Sequence, residues 1–376
     1  MSYVTAPPIQ VNTPELVKQE ALEKAVIAAL QDAGLQDLSH AKGRYFIFNL
    51  APSVWYDVGA LLWLIVLLHT LKLQRNVIEL VLPDPGDTDG RRPWDFFLRW
   101  HFFEALAKCV DDPMNLVRSD QRLHLMRSSK YLTGSRGYDE SGRDAVLRTT
   151  KLLEIKTISA GSDQQQGFGI RDEQIMAGAL SYVCGWEPDA TSTFMRLVTV
   201  EGVQNSLLHA HGTFVNVCYN TDQKNLIVAI SDNGMGIPGV LRTAFGRGMI
   251  RNSLSDDSDA ELILYFTERQ MIRDLFSEPE QLLTEPADSS LIVFSTKEGV
   301  GTQPDRAGAG LYYLKSHVLE LGGEIRIRSG KACVEFVGDR VFRKDGLMES
   351  PGTLVRVIAP LRLDREKPMG GGNVRE

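Results

Sequence analysis

Two polar residues lie one helical turn apart on an otherwise apolar stripe in the second half of the chain. Glu201 and Asn205 share the apolar face of a helix that the i, i+3, i+4, i+7 spacing predicts from about Asp189 to His211. A carboxylate there can orient a nucleophile and take its proton, and an amide oxygen suits Mg²⁺. The alternative is a hydrogen-bonded polar pair at a helix boundary, and the pair alone does not decide between the two.

A second motif, DNGMGI, runs from Asp232 to Ile237 directly after an apolar strand. Gly234 and Gly236 allow the backbone to turn sharply and to approach a ligand closely. The Asp232 carboxylate, at the strand end, can accept a hydrogen bond from an exocyclic amine such as that of adenine. A plain tight turn is the alternative interpretation of this motif.

Two further motifs follow. GAGL, with Gly308, Gly310 and Leu311, opens a predicted helix, and a glycine turn that leads into a helix N-terminus can bind an anion. PGT places the hydroxyl of Thr353 at the entrance of the last predicted strand, where it can bond a base or a bridging water. Either motif alone is equally compatible with an ordinary loop.

The order of these four motifs along residues 185–361 resembles the Bergerat ATP-binding fold of the GHKL superfamily, which includes gyrase, MutL, histidine kinases and anti-sigma-factor kinases. The resemblance implies an α/β sandwich that binds ATP and Mg²⁺. It assigns Glu201 as the general base and Asn205 as the Mg²⁺ ligand. It also implies an ATP lid, here long, over residues 238–306.

Within that resemblance, Asp232 corresponds to the residue that binds the adenine amino group. The remaining residues that it assigns to the adenine pocket and the phosphate loop are Gly234, Gly236, Ile237, Gly308, Gly310, Leu311 and Thr353.

The resemblance implies a Mg²⁺-dependent signalling protein, either an ATPase or a protein kinase in the style of the anti-sigma kinases, whose pattern EGVQNSLLHAHG resembles. Such a protein acts with a protein partner or protein substrate, and a homodimer is compatible with it. The alternative is an ATP-gated interaction switch with negligible turnover, although such a switch would not need a base at Glu201.

The first half of the chain predicts a helical lead-in over residues 1–40, followed by an α/β unit within residues 41–135. A strand at 44–50, an apolar helix at 57–73 and a strand at 76–83 predict a parallel pair. This pattern resembles STAS domains, the anti-anti-sigma fold, and implies a regulatory or interaction domain. The turn after Asp57 is shorter than the family's and lacks its serine, so phosphorylation there is not expected. An unrelated α/β module is the alternative.

Other elements complete the expected organisation. Residues 136–184 have in part the composition of a linker, and residues 362–376 that of a disordered tail. A hairpin ending at Asp232 and strands at 322–329 and 352–360 are predicted within the second half. In the first of these strands, apolar and arginine side chains alternate, which is typical of a half-buried strand.

Composition excludes several classes of protein. The 376 residues carry a net charge of −7, which disfavours general binding to nucleic acid. The four cysteines form no CxxC pair, which argues against a zinc site and fits a reducing compartment. The most apolar run, Val58 to Leu68, is shorter than the roughly 20 residues a membrane span requires. We therefore expect a cytoplasmic protein of bacterial type.

Overall fold

The computed structural model describes residues 6–53, 55–83, 97, 100–122, 151–159, 181, 184–221, 224–246, 285–298, 300 and 310–361. These residues form a mixture of helices and strands, in agreement with the α/β class. Gly308, the tail 362–376 and most of the predicted lid lie outside the described residues. No helix among the residues described is both long enough and apolar enough to cross a membrane.

The first half contains five strands and three helices among its described residues. In chain order they are β1 Ile9–Asn12, β2 Leu16–Val17, α1 Gln19–Asp32, β3 Tyr45–Asn49, β4 Trp55–Tyr56, α2 Val58–Leu73, β5 Val77–Val81 and α3 Phe102–Ala107. Short 3₁₀ turns lie at Leu38–His40 and Pro113–Leu116.

The second half begins with β6 Lys151–Ser159. A continuous helix, α4, spans residues 188–209 as four segments, Pro188–Met195, Arg196–Glu201, Gly202–Gln204 and Asn205–His209. The remaining elements are β7 Phe214–Thr221, β8 Asn225–Asp232, α5 Gly236–Gly246, α6 Asp288–Ser295, α7 Gly310–Glu320, β9 Glu324–Ser329, β10 Ala332–Val337, β11 Arg340–Lys344 and β12 Thr353–Pro360.

A seven-stranded antiparallel sheet organises the second half, in the order β11-β10-β9-β12-β8-β7-β6. The predicted hairpin is confirmed as β7 and β8, and the two later predicted strands as β9 and β12. One face of the sheet, the front face, packs against α4 and α7 through an apolar cluster that includes Phe194, Leu314 and Ile327.

Helix α2 covers the opposite, back face of this sheet. It contacts β7, β8 and β12 on one side and β5 of the smaller parallel sheet, ordered β1-β3-β5, on the other. Because α2 is covered from several sides, its apolar residues surround the helix and do not form a single stripe. Phe46 of β3 and Ala229 of β8 belong to one apolar cluster. The two halves of the chain therefore share a core.

Two expectations about local structure are wrong. Residues 9–12, predicted within a helical lead-in, form β1, because Ile9 and Val11 alternate with exposed Gln10 and Asn12 and pair with β3. Residues 151–159, predicted within a connecting segment, form β6 beside β7. The predicted parallel pair is confirmed as β3 and β5.

A buried ion pair joins α1 to the back face of the sheet. Arg328 on β9 is 1% exposed and Glu23 on α1 is 6% exposed. Arg328 Nη2 donates to Glu23 Oε1 at 2.6 Å and to the carbonyl of Met348, Nε donates to Glu23 Oε2, and Nη1 donates to the carbonyls of Gly330 and Ala332. These bonds compensate the guanidinium for lost hydration.

Two neighbouring arginines repeat this arrangement closer to solvent. Arg326 donates to Glu20 of α1, and Arg356 of β12 lies 3.5 Å from the carboxylate of Asp57, the residue that precedes α2. Burial raises the pKa of Asp57, and the nearby Arg356 opposes that rise. Carboxylates from the first half therefore face three arginines of the sheet.

Glu23→Ala leaves the Arg328 guanidinium buried without its counter-ion, so we expect it to lower the free energy of unfolding by about 3–5 kcal/mol. Glu20→Ala is the matched control, because the Glu20 side chain is 36% exposed, and we expect it to cost about 1 kcal/mol or less. Urea denaturation measures both. Equal, small losses would contradict the buried character of the pair.

Candidate functional site

Helix α4 occupies nearly the predicted range, but two of its turns are π-helical. These turns span Arg196–Glu201 and Asn205–His209, and the amide of Ala210 donates five residues back to the carbonyl of Asn205 at 3.1 Å. Such turns are rare and occur frequently at functional sites. The two predicted polar residues stand at their boundaries, since Glu201 ends the first turn and Asn205 begins the second.

One cavity on the front face of the sheet collects residues from all four sequence motifs. The cavity is concave and open to solvent at its mouth, as small-molecule sites commonly are. The predicted residues that line it are Asn205, Asp232, Ile237, Gly310, Leu311 and Thr353. Predicted positions spread over some 150 residues of sequence therefore meet in one place.

Asp232 is the buried acid of this cavity and is 3% exposed. Its Oδ1 accepts from the amides of Gly234 at 2.8 Å and Thr353 at 3.3 Å, and its Oδ2 accepts from the hydroxyl of Ser206 at 2.8 Å. A carboxylate has about four acceptor positions. These three donors leave one position, on Oδ2, for a ligand.

Burial raises the pKa of Asp232, and the donors Gly234, Ser206 and Thr353 oppose that rise. The charged carboxylate is thus costly at this position, and a further donor from a ligand would stabilise it.

Close packing explains the two glycines of the DNGMGI motif. Gly236 has a φ of +74°, a conformation that favours glycine. At Gly234 an added Cβ would stand 2.5 Å from the carbonyl oxygen of Ala210, at the end of α4. The same carbonyl accepts from the amide of Met235 at 2.9 Å. The turn after β8 is therefore fastened directly to the C-terminus of α4.

Three polar residues of the site were not identified from the sequence. Ser206 bonds Asp232, and Ser329 accepts from the amide of Ile237 at 2.9 Å while its hydroxyl lies 3.0 Å from that of Thr353. Asn233 accepts from the amides of Thr213 and Phe214 through its Oδ1. The available signals were weak: Ser206 follows Asn205 directly, and Ser329 ends a strand before a glycine.

The start of α7 forms another part of the cavity wall. Gly310 and Leu311 line the cavity, and α7 extends for 11 residues from Gly310. The first amides of a helix lack intrahelical acceptors and carry the positive end of the helix dipole. The start of α7 therefore suits an anion, whereas Asp232 suits a hydrogen-bond donor.

No family model matches the chain, and no curated protein matches it with significant similarity. A function must therefore be inferred from the residues of the cavity.

Gly234→Ala places a methyl group against the backbone of Ala210, so we expect a loss of about 1–3 kcal/mol in the free energy of unfolding. Gly239→Ala is the control, because its nearest neighbour is a Met235 side-chain atom at 3.4 Å and alanine is favoured within a helix by about 1 kcal/mol. Chemical denaturation of both variants tests the contact, which would be refuted by equal stabilities.

Proposed function

We propose that this chain binds ATP together with Mg²⁺, through a GHKL-type domain of the Bergerat fold over residues 185–361. The observation that carries the proposal is the buried Asp232 carboxylate, which retains one acceptor position inside a cavity shared by the four motifs. The antiparallel sheet with α4 and α7 on one face supports the proposed domain.

Adenine is the base that fits the acid. Its exocyclic amine is a donor, and a hydrogen bond to a buried carboxylate is charge-assisted. Guanine presents a carbonyl oxygen at the equivalent position, which would meet the carboxylate as a second acceptor. The apolar side chains of Ile230, Leu241 and Val355 also line the cavity and supply contact area for a flat ring system. The site should therefore discriminate between the two purines.

The phosphates are assigned to the start of α7, where Gly310 and Leu311 line the same cavity, because the first amides of a helix favour an anion. Asn205 lines the cavity as well, and its amide oxygen is the ligand that would hold Mg²⁺. When bound, Mg²⁺ would neutralise phosphate charge. Gly202 lines the cavity, and Glu201 is the residue directly before it on α4.

We assign Glu201 as the residue that orients the attacking water or hydroxyl and takes its proton, which makes the protein an ATPase or a protein kinase. The alternative is an interaction switch that closes on ATP and turns over negligibly. A single-turnover measurement of phosphate release and of protein labelling separates the two functions. Phosphate release or protein labelling supports the enzyme. The absence of both supports the switch.

The first half of the chain is assigned as a regulatory or interaction unit of STAS-like type. The parallel pair β3 and β5, with α2 packed against β5, supports this assignment. Asp57, in the turn where that family carries its phosphorylated serine, is buried and faces Arg356 of β12. Thr353 and Val355 of the same strand line the cavity. The two halves therefore meet on a strand of the nucleotide site.

Asp232→Asn should lower ATP affinity about tenfold to a hundredfold or more, because the amide nitrogen opposes the adenine amine and a charge-assisted bond worth about 1.5–3 kcal/mol is lost. The fold should persist. The amide oxygen can still accept from Gly234 and Thr353, and Ser206 can accept from the new amide while donating to the carbonyl of Gly202, 3.0 Å away. Calorimetry measures the affinity.

The variant Asp232→Asn should also change how the stability of the fold depends on pH. Since the pKa of Asp232 is raised in the folded state, its contribution to stability is lost as pH rises from the ordinary carboxyl pKa through the raised one. The nucleotide-free variant should therefore gain in melting temperature relative to the parent as pH rises.

Unchanged ATP affinity in the folded variant Asp232→Asn would contradict the proposal that Asp232 binds the adenine amine.

Glu201 and Asn205 should be separable. Glu201→Ala should keep ATP affinity within a few fold while the chemical step slows by roughly 10²–10⁴, because a base acts on the transition state. Asn205→Ala should weaken the Mg²⁺-dependent part of ATP binding. ATP affinity with and without Mg²⁺, and single-turnover rates, distinguish the variants. If both behave like the parent, this face of α4 serves packing alone.

A further inference from the structure

Strand β11 is an exposed edge of the seven-stranded sheet. Among the residues that the structure describes it pairs only with β10, in antiparallel register. All of its residues are exposed, including two large apolar ones, Val341 at 44% and Phe342 at 52%. An edge strand presents unpaired amides and carbonyls to any extended chain that approaches it.

The composition of β11 is unlike that of the chain. Three of its five residues, Arg340, Arg343 and Lys344, are cations, although the chain as a whole carries a net charge of −7. The two apolar residues lie between these cations. The edge thus offers a positively charged strand with an apolar centre.

A cavity adjoins the back-face side of β11. It lies between α1 and the β10–β11 hairpin, and its walls include Lys24 and Ile27 of α1, Phe342 and Lys344 of β11, and Leu347. Phe342 stands opposite Glu335 of β10, on the face that also carries Arg326. A strand added to β11 would place alternate side chains beside this cavity.

A second copy of the chain is a poor occupant of this edge. If two β11 strands paired in antiparallel fashion about Phe342, each Arg340 would stand opposite Lys344 of the other copy, and each Val341 opposite Arg343. Like charges directly opposite one another destabilise a strand pair. The charge of the edge therefore favours a partner of opposite sign over self-association.

We propose that β11 accepts an extended acidic segment of a partner protein as an additional strand of the sheet. In antiparallel register, the complementary segment carries acidic residues opposite Lys344, Arg343 and Arg340 and apolar residues opposite Phe342 and Val341. Main-chain hydrogen bonds supply the affinity of such strand addition, and alternate side chains supply its specificity. The proposal does not depend on the nucleotide site.

The competing explanation is that the cations only protect a free edge from aggregation, a common role of charged edge residues. Under that explanation no acidic strand binds. The two explanations predict opposite results for the affinity of the full chain for an acidic peptide.

The probe is a fluorescently labelled peptide with the core Glu-Glu-Val-Val-Glu, titrated with the full-length chain and followed by anisotropy. A peptide with Lys in place of each Glu is its control. We expect the acidic peptide to bind at least about tenfold more tightly, from three cross-strand charge pairs. Equal affinities for the two peptides, or no binding of the acidic peptide, would overturn the proposal.

Backbone pairing is tested with two peptides N-methylated on alternate residues, one on the odd and one on the even positions. Only alternate amides of an added strand face the sheet. The peptide methylated on those amides should therefore bind about tenfold or more weakly, and the other peptide should keep its affinity. Equal binding of both would show electrostatic capture without strand addition and would refute the proposal.

The matched variants reverse three exposed cations each. The variant Arg340→Glu, Arg343→Glu, Lys344→Glu should bind the acidic peptide about tenfold or more weakly than the parent does, and should bind the Lys peptide more tightly. The control variant Lys42→Glu, Lys72→Glu, Lys108→Glu alters three exposed residues elsewhere with the same change in net charge, and should bind as the parent does. Equal losses in both variants would assign the binding to net charge and refute a site at β11.

Discussion

The fold depends on the burial of α2. This helix is apolar on all sides, so water must be excluded from its whole circumference. One sheet covers only one side of a helix. The β1-β3-β5 sheet therefore packs on one side of α2 and the back face of the seven-stranded sheet packs on the other. The halves of the chain are consequently joined by a shared core.

The polar groups in this arrangement lie where the core ends. Arg328 is buried at the margin of α2's interface and is satisfied by Glu23 and by backbone carbonyls. Asp232 is buried where β8 ends and is satisfied by donors from α4, from its own turn and from β12. The two groups differ in what remains unsatisfied: Arg328 is engaged by partners at several of its nitrogens, whereas Asp232 retains an acceptor position beside a cavity.

The strand β12 connects these two regions. Its residues alternate between the faces of the sheet, so Thr353 and Val355 line the cavity while Leu354 and Arg356 face the first half of the chain. The proposed nucleotide site and the proposed regulatory half are thus separated by the thickness of one strand. Among the described strands, β11 forms the edge at one end of the same sheet, with β10 and β9 between it and β12.

The sequence by itself determined the elements whose signals are local. The apolar run within α2, the β7–β8 hairpin and the motif at Asp232 are each visible within a short window, and the structure brings some residues of each of the four motifs to one cavity. Other features were decided by tertiary structure. Alternation puts Arg326 and Arg328 opposite Ile327 but does not reveal that α1, some 300 residues earlier, covers them. β6 and the roles of Ser206 and Ser329 were likewise missed, because a strand edge or a hydroxyl acquires its partner only when distant segments pack together.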